Sequence, residues 1–119
     1  MTITAYQAAR SRVEMPRAAE HRLLSQITGE MMDAETAGLT GAHLAAPLHR
    51  NREMWSVFVT DCGTPGNGLP AELRASIISL GLWVQRFTSD VIAGREPIGE
   101  LISLNRTMME GLAVQRLAA

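Results

Sequence analysis

A single apolar stripe between Leu69 and Gly94 places the strongest constraint on how this chain folds. Apolar side chains recur there at steps of three and four residues, namely Leu73, Ile77, Leu80, Val84, Phe87 and Val91. That spacing matches one face of an α-helix, which turns once in about 3.6 residues. Pro70 suits the first helical position, and Gly94 suits the left-handed residue after the last turn. The stripe predicts a helix over residues 70–93 and, because it is so long, the central helix of a bundle.

Two other segments carry apolar residues at helical spacing and are predicted to form further main helices. The segment 17–37 has one apolar face, made of Leu23, Leu24, Ile27, Met31 and Ala34. Gly38 follows it and suits a helix end. The segment 97–117 has another, made of Ile98, Leu101, Ile102, Met108, Met109 and Leu112. Asn105 falls inside this last face, and a buried amide there needs hydrogen-bond partners on a neighbouring helix or backbone.

The segment before the glycine-rich turn 62–68 is less regular. Its apolar residues fit one helical face, namely Leu44, Leu48, Trp55, Phe58, Val59 and Cys62. Pro47 lies among them and removes a helical hydrogen bond. Two interpretations remain open: the helix 47–62 begins at Pro47, or an earlier start near residue 41 is kinked there.

The chain is therefore predicted to be one all-α domain, residues 1–119, built as a small bundle. Its four main helices cover about 17–37, 47–62 with the alternative start near 41, 70–93 and 97–117. A short N-terminal helix over about 3–12 is expected to end before Pro16, and either docks on the body or stays mobile. No alternating apolar and polar run indicates a strand.

Charge and composition exclude several classes of function. Eleven basic and twelve acidic residues give a formal net charge of −1, without the basic stripe of a nucleic-acid binder. No apolar run approaches the roughly 20 residues of a membrane span, and the N-terminus lacks the apolar core of a signal peptide. A cytoplasmic protein is expected. The one cysteine, Cys62, lies four residues from Phe58 on an apolar face and is interpreted as a core residue.

No arrangement of residues indicates catalysis or a bound cofactor or metal. His43 and His49 are spaced poorly for a shared metal, and Cys62 has no second cysteine beside it. The glycine-rich stretch 63–68 lacks the Lys-Ser/Thr ending of a phosphate loop and follows a helix, not a strand. His49 and Glu53, four residues apart, are predicted to form a surface pair. The sequence therefore predicts a protein that is not an enzyme.

Tryptophan, methionine and arginine side chains are the candidates for binding a partner protein. Trp and Met at helical spacing usually belong to a core, but they also form soft surfaces that accept a partner helix. Arg52 and Trp55, like Trp83 and Arg86, are three residues apart and suited to stacking. The candidate partner-binding residues are Arg52, Met54, Trp55, Trp83, Arg86, Asn105, Arg106, Met108 and Met109.

Five stretches of the sequence are distinctive when taken together. The most specific are His-Arg-Asn-Arg-Glu-Met-Trp-Ser-Val-Phe at 49–58 and Leu-Ile-Ser-Leu-Asn-Arg-Thr-Met-Met-Glu-Gly-Leu at 101–112. The others are Leu-Pro-Ala-Glu-Leu-Arg at 69–74, Ile-Ile-Ser-Leu-Gly-Leu-Trp-Val at 77–84 and Ala-Tyr-Gln-Ala-Ala at 5–9. In this order they resemble the FlaF family of flagellar biosynthesis regulators. The resemblance covers nearly the whole chain, and its match is weakest over residues 33–47.

The resemblance implies a cytoplasmic protein needed to make flagellin and assemble the flagellar filament, working beside the regulator FlbT. It implies that flagellin is the partner and that the protein acts as a flagellin chaperone for export. The alternative from another class is control of flagellin expression through FlbT or flagellin mRNA, without binding flagellin. Neither direct nucleic-acid binding nor membrane binding is expected, and a homodimer remains open.

Overall fold

The structure, a computed structural model, describes the backbone of residues 3–118 and the side chains of residues 19–111. It contains four α-helices, which we number α1 (Ile3–Thr36), α2 (Ala45–Cys62), α3 (Ala71–Ile92) and α4 (Gly99–Ala118). A 3₁₀ turn, Gly41–Leu44, precedes α2, and residues 3–118 contain no strand. The predicted all-α bundle of four main helices is confirmed. Among the residues searched, no helix combines the length and apolarity needed to cross a membrane.

The two predicted glycine helix ends are confirmed. Gly38 after α1 and Gly94 after α3 have φ values of 74° and 78°, which side chains with a Cβ rarely adopt. The residue after each glycine donates its N–H back to a carbonyl of the last helical turn: Leu39 to Ala34 at 3.1 Å and Arg95 to Asp90 at 2.9 Å. These bonds satisfy carbonyl groups that a helix end leaves without partners. Both helices therefore stop where the sequence indicates.

Pro47 neither opens α2 nor kinks it. It is the third residue of α2, which begins at Ala45, and the earlier turn predicted near residue 41 is the separate 3₁₀ turn. The N–H groups of a first helical turn have no partner within the helix. Because the missing N–H of Pro47 is one of these, the proline costs the helix no hydrogen bond.

The predicted break at Pro16 is absent, and α1 runs unbroken from Ile3 to Thr36. The short helix predicted over 3–12 is thus part of α1 and not a separate element. A proline removes one hydrogen bond from a helix, but its fixed φ is compatible with the helical conformation, so it does not force a break. The side chains of this segment lie outside those described, and its docking stays a prediction.

Within the described chain, α1 and α2 each pack along two other helices, and α3 does not. α2 lies against α1 and α3, and α1 lies against α2 and α4, whereas α3 packs chiefly on α2 and the 3₁₀ turn. The Cα atoms of α3 and α4 come within 8 Å of each other at almost no point of the described chain. The prediction that α3 is the central helix was therefore wrong, because a long stripe shows that a face is buried and not how many neighbours bury it.

The core agrees with the predicted stripes except at their margins. Buried apolar side chains come from every helix, and the largest fully buried ones are Trp55, Leu24, Met31, Leu48, Leu101, Val84 and Val91. Leu23, predicted to face inward, is 39% exposed.

On the α2–α3 side, a Cβ built on Gly81 would overlap Cγ2 of Val59. The two helices approach closely there only because residue 81 has no side chain.

Candidate functional site

Three side chains form a hydrogen-bonded cluster in the centre of the bundle, which we call the polar core cluster: Asn51 and Trp55 of α2 and Asn105 of α4. The indole Nε1 of Trp55 donates to Oδ1 of Asn105 at 2.9 Å. Nδ2 of Asn105 donates to Oδ1 of Asn51 at 2.8 Å and also lies 3.7 Å from the sulfur of Met31 on α1. All three residues of the cluster are 0% exposed. The partners predicted for a buried Asn105 are thereby identified.

Trp55 fixes the orientation of both amides. An indole N–H can only donate, so Asn105 must turn its oxygen toward Trp55 and its NH₂ group toward Asn51. Asn51 must then present its own oxygen. Its Nδ2 is left without a hydrogen-bond partner among the described residues, which is costly for a buried donor.

Burial changes the role of three residues predicted to bind a partner. Trp55 and Asn105 belong to the polar core cluster, and Met54 is only 2% exposed. In this conformation none of them can contact another protein, so they hold the fold together. Their spacing fitted a core face and a partner surface equally well, and the structure selects the core.

Arg52 joins α2 to α3 and does not stack on Trp55. Its Nη2 donates to the main-chain oxygen of Gln85 and to Oγ of Ser89, both at 2.7 Å. In return, Nε2 of Gln85 donates to the main-chain oxygen of Arg52 at 3.3 Å and to Oγ of Ser56 at 3.1 Å. We call Arg52 and Gln85 the α2–α3 clamp. The guanidinium is thus committed to helix packing.

The remaining apolar candidates are half-buried side chains of α3 and α4. Trp83 stacks on Phe87, with ring centroids 4.6 Å apart and planes at 20°, on the side of α3 away from α2. Leu80, Leu104 and Met108 are half-buried, as Trp83 is, and pack on the edge of the core. Met108 lines a small cavity together with Phe58 and Cys62 of α2 and Ile77 of α3. We call Leu80, Trp83, Leu104 and Met108 the α3–α4 seam.

The seam residues are half-buried, and the backbones of α3 and α4 stay apart. Met109, the residue after Met108, is also half-buried against the core. Arg86 and Arg106 are exposed, and Arg86 lies one turn from Trp83. Of the predicted set, Trp83, Arg86, Arg106, Met108 and Met109 therefore remain at least partly accessible.

Among the titratable side chains of residues 19–111, that of Cys62 has a clearly perturbed pKa. Cys62 is buried as predicted, and burial, with the nearby Asp61 and Glu20 carboxylates, raises the pKa of its thiol. A raised pKa disfavours the thiolate and makes a poor nucleophile. His49 and Glu53 form the predicted exposed pair at 3.0 Å. No group of three His, Cys, Asp or Glu side chains able to hold a metal occurs among the described residues.

Comparison with known families decides the affiliation of the chain. The family model described as flagellar protein FlaF matches residues 2–112. The chain belongs to the FlaF family. No match was found among curated proteins or among solved structures.

The FlaF-like stretches of the sequence contain the residues that organise this bundle. The stretch 49–58 supplies Asn51 and Trp55 to the polar core cluster and Arg52 to the α2–α3 clamp. The stretch 77–84 contains Gly81 at the helix crossing, and 101–112 contains Asn105. Much of what makes this sequence resemble FlaF proteins is thus used in packing, whereas the seam residues are the accessible part of the same stretches.

Proposed function

We propose that this FlaF-family protein is a cytoplasmic regulator of flagellum biogenesis that binds flagellin, promotes its synthesis and export, and works beside FlbT. Membership of the family ties the protein to the flagellum. The observation that supports binding is the α3–α4 seam, a set of half-buried apolar side chains on two helices whose backbones remain apart. Apolar side chains that their own bundle leaves partly uncovered suit an added helix, which would lay its apolar face on them.

In the proposed complex, an amphipathic terminal segment of flagellin lies along the seam. Trp83 offers a broad aromatic face held in place by Phe87, and Met108 offers an unbranched side chain that adapts to irregular partners. Arg86, exposed at the edge of α3, is placed to pair with an acidic side chain of the ligand. Covering the apolar face of flagellin in this way would keep it from polymerising before export.

The direct test is co-expression of this protein with flagellin, followed by affinity purification and size-exclusion chromatography. We expect a soluble complex with a fixed stoichiometry of 1:1 or 2:2. A secreted protein of similar length that forms no filament serves as the control and should elute separately. If flagellin also elutes alone, the chaperone proposal fails.

A second set of measurements distinguishes the alternative, control of expression without flagellin binding. A gel-shift assay with the flagellin mRNA leader is run with this protein alone, with FlbT alone and with both. Because the net charge is −1, we expect no shift by this protein alone. A shift that requires both proteins, together with no flagellin complex, would favour the alternative.

A further inference from the structure

Apolar packing alone does not determine where α4 sits along its neighbours. The inward face of α4 repeats apolar side chains one turn before and one turn after Asn105, at Leu101, Ile102, Met108 and Met109. If α4 slipped by one turn along α1, one apolar side chain would replace another over most of the contact. Adjacent α3 gives little resistance, because its backbone scarcely approaches α4.

The connection between α3 and α4 also permits such a slip. Residues 93–98 join the two helices. Six residues reach up to about 20 Å when extended, whereas a slip of four helical residues moves α4 by only about 6 Å. Chain connectivity therefore excludes large displacements of α4 but not a shift of one turn.

The polar core cluster distinguishes the registers that apolar packing does not. In the observed register Asn105 accepts from Trp55 and donates to Asn51. A one-turn slip would set an apolar side chain opposite both groups and leave the indole N–H and the Asn51 oxygen buried without partners. Unpaired buried polar groups are strongly unfavourable, and one buried polar residue is known to select the register of packed helices.

The cluster is poorly optimised for stability, since Nδ2 of Asn51 finds no partner among residues 19–111 even in the observed register. Buried polar groups that contribute little net stability can still select a single arrangement of helices. We propose that the polar core cluster is a register lock, which specifies one position of α4 against α1 and α2. The free energy that holds α4 in place comes from the apolar contacts around the lock.

The experiment measures the register with spin labels on the full chain. Cys62 is replaced by alanine, and labels are attached at Arg22→Cys on α1 and Ser103→Cys on α4, both of which are exposed positions. Double electron–electron resonance then gives the distance distribution between the two helices. The test variant, Asn51→Leu/Trp55→Phe/Asn105→Leu, makes the cluster wholly apolar. Leu101→Met is the matched control, because it changes a buried side chain of the same face without altering volume or polarity much.

We expect the wild type and the Leu101→Met control to give one narrow distance. The apolar triple variant should still unfold cooperatively, but its distribution should broaden or gain a second peak displaced by up to about 6 Å, one four-residue slip. A single narrow peak at the wild-type distance would overturn the proposal. Loss of cooperative unfolding would overturn it too, because the cluster would then be needed for stability itself.

A second variant moves the asparagine amide along α4 instead of removing it. Leu101→Asn/Asn105→Leu places the asparagine one turn earlier on α4, so a register lock predicts that the whole helix slips to restore the bonds with Trp55 and Asn51. The single peak should shift accordingly. A peak that stays at the wild-type distance, or a chain that no longer folds, counts against the proposal.

Discussion

Arg52 and Gln85 each donate a side-chain hydrogen bond to the main-chain oxygen of the other, across the α2–α3 contact. The two bonds run in opposite directions and use acceptors that no side-chain substitution removes. Arg52 and Gln85 thereby attach two antiparallel helices at one level, next to the close approach at Gly81. The neighbouring hydroxyls of Ser56 and Ser89 accept a second bond from each clamp residue.

The geometry of the clamp predicts additive effects of substitution. Arg52→Met should lower the free energy of unfolding by about 1.5–3 kcal/mol, the range for a charged donor, and Gln85→Met by about 0.5–1.5 kcal/mol, the range for a neutral one. Removing one side chain leaves the main-chain acceptor of the other bond in place. The double variant should therefore equal the sum within about 0.5 kcal/mol. Urea unfolding of the wild type, the two single variants and the double variant completes the double-mutant cycle. A coupling energy above about 0.5 kcal/mol would show that the two side chains act on each other.

Asn51 and Asn105 should behave in the opposite way, because their bond joins two side chains. Asn105→Ala leaves the indole N–H of Trp55 and the Asn51 oxygen unpaired, and should cost about 2–5 kcal/mol. Asn51→Ala breaks one bond and removes an already unpaired NH₂ group, so it should cost less. We expect a coupling energy above about 0.5 kcal/mol in a double-mutant cycle measured by urea unfolding. Additive effects here would mean that the bond contributes nothing measurable.

Whether Gly81→Ala stabilises or destabilises the protein depends on the side chain at position 59. Alanine is the better helix former by about 1 kcal/mol, but its Cβ would overlap Cγ2 of Val59. Gly81→Ala alone should therefore destabilise the protein, by about 1–3 kcal/mol. In a Val59→Ala background the same substitution should stabilise it by about 0.5–1 kcal/mol. Thermal and urea unfolding of the four proteins measure the reversal.

Gly29 provides the matched control for this experiment. It lies within α1, and a Cβ built on it meets no atom within 4 Å. Gly29→Ala should raise the free energy of unfolding by about 0.5–1 kcal/mol in either background. If Gly81→Ala were stabilising in the wild-type background too, the helices would have room to move apart, and the close crossing would not restrict residue 81.

Rules that use only nearby residues predicted the bounds of the helices well, but they did not predict which helices pack against each other. The stripe and the glycine ends placed α3 almost correctly, because the helix period and left-handed caps depend on nearby residues only. Which helices have two helical neighbours, here α1 and α2, depends on how all the faces close around the core, and no single stripe contains that information. Pro16 shows the same limit, since a proline rule cannot tell a continued helix from a broken one.

The candidate site was predicted in composition but not in location. Asn105 was recognisable as a buried amide because it interrupts an apolar face, yet its partners Trp55 and Asn51 are about fifty residues away in the chain. Met54 and Trp55 share their helical spacing with true partner-binding residues, so only burial could assign them to the core. Neither the residue types of Arg52 and Gln85 nor their spacing in the sequence indicated that they form the α2–α3 clamp.

Cys62 makes stability depend on pH in the alkaline range. Burial first, and then the Asp61 and Glu20 carboxylates, raise the pKa of its thiol above the ordinary value of 9.0. Above that pH the unfolded chain releases the thiol proton while the folded chain retains it. The stabilisation is therefore complete below about pH 9 and is lost as the pH rises through the higher folded value.

The check is urea unfolding between pH 7.5 and 10.5, with Cys62→Ala as the comparison. Other groups titrate equally in both proteins, so the difference between their profiles isolates Cys62. We expect the wild type to lose more stability than the variant above pH 9. Parallel profiles would show that the thiol ionises as readily in the folded chain as in the unfolded one.

Two adjacent residues of α3 allow the seam to be tested as the binding surface. Trp83 belongs to the α3–α4 seam, whereas its neighbour Leu82 is 58% exposed and outside the seam. Trp83→Arg introduces a charge into the strip that an apolar ligand face would cover, and Leu82→Arg introduces the same charge outside it. If flagellin binds along the seam, Trp83→Arg should weaken binding at least tenfold, while Leu82→Arg should change it less than about twofold. Isothermal titration calorimetry measures the affinities, and circular dichroism confirms that both variants remain helical. Equal weakening by both, or loss only in Leu82→Arg, would place the flagellin site elsewhere on the bundle.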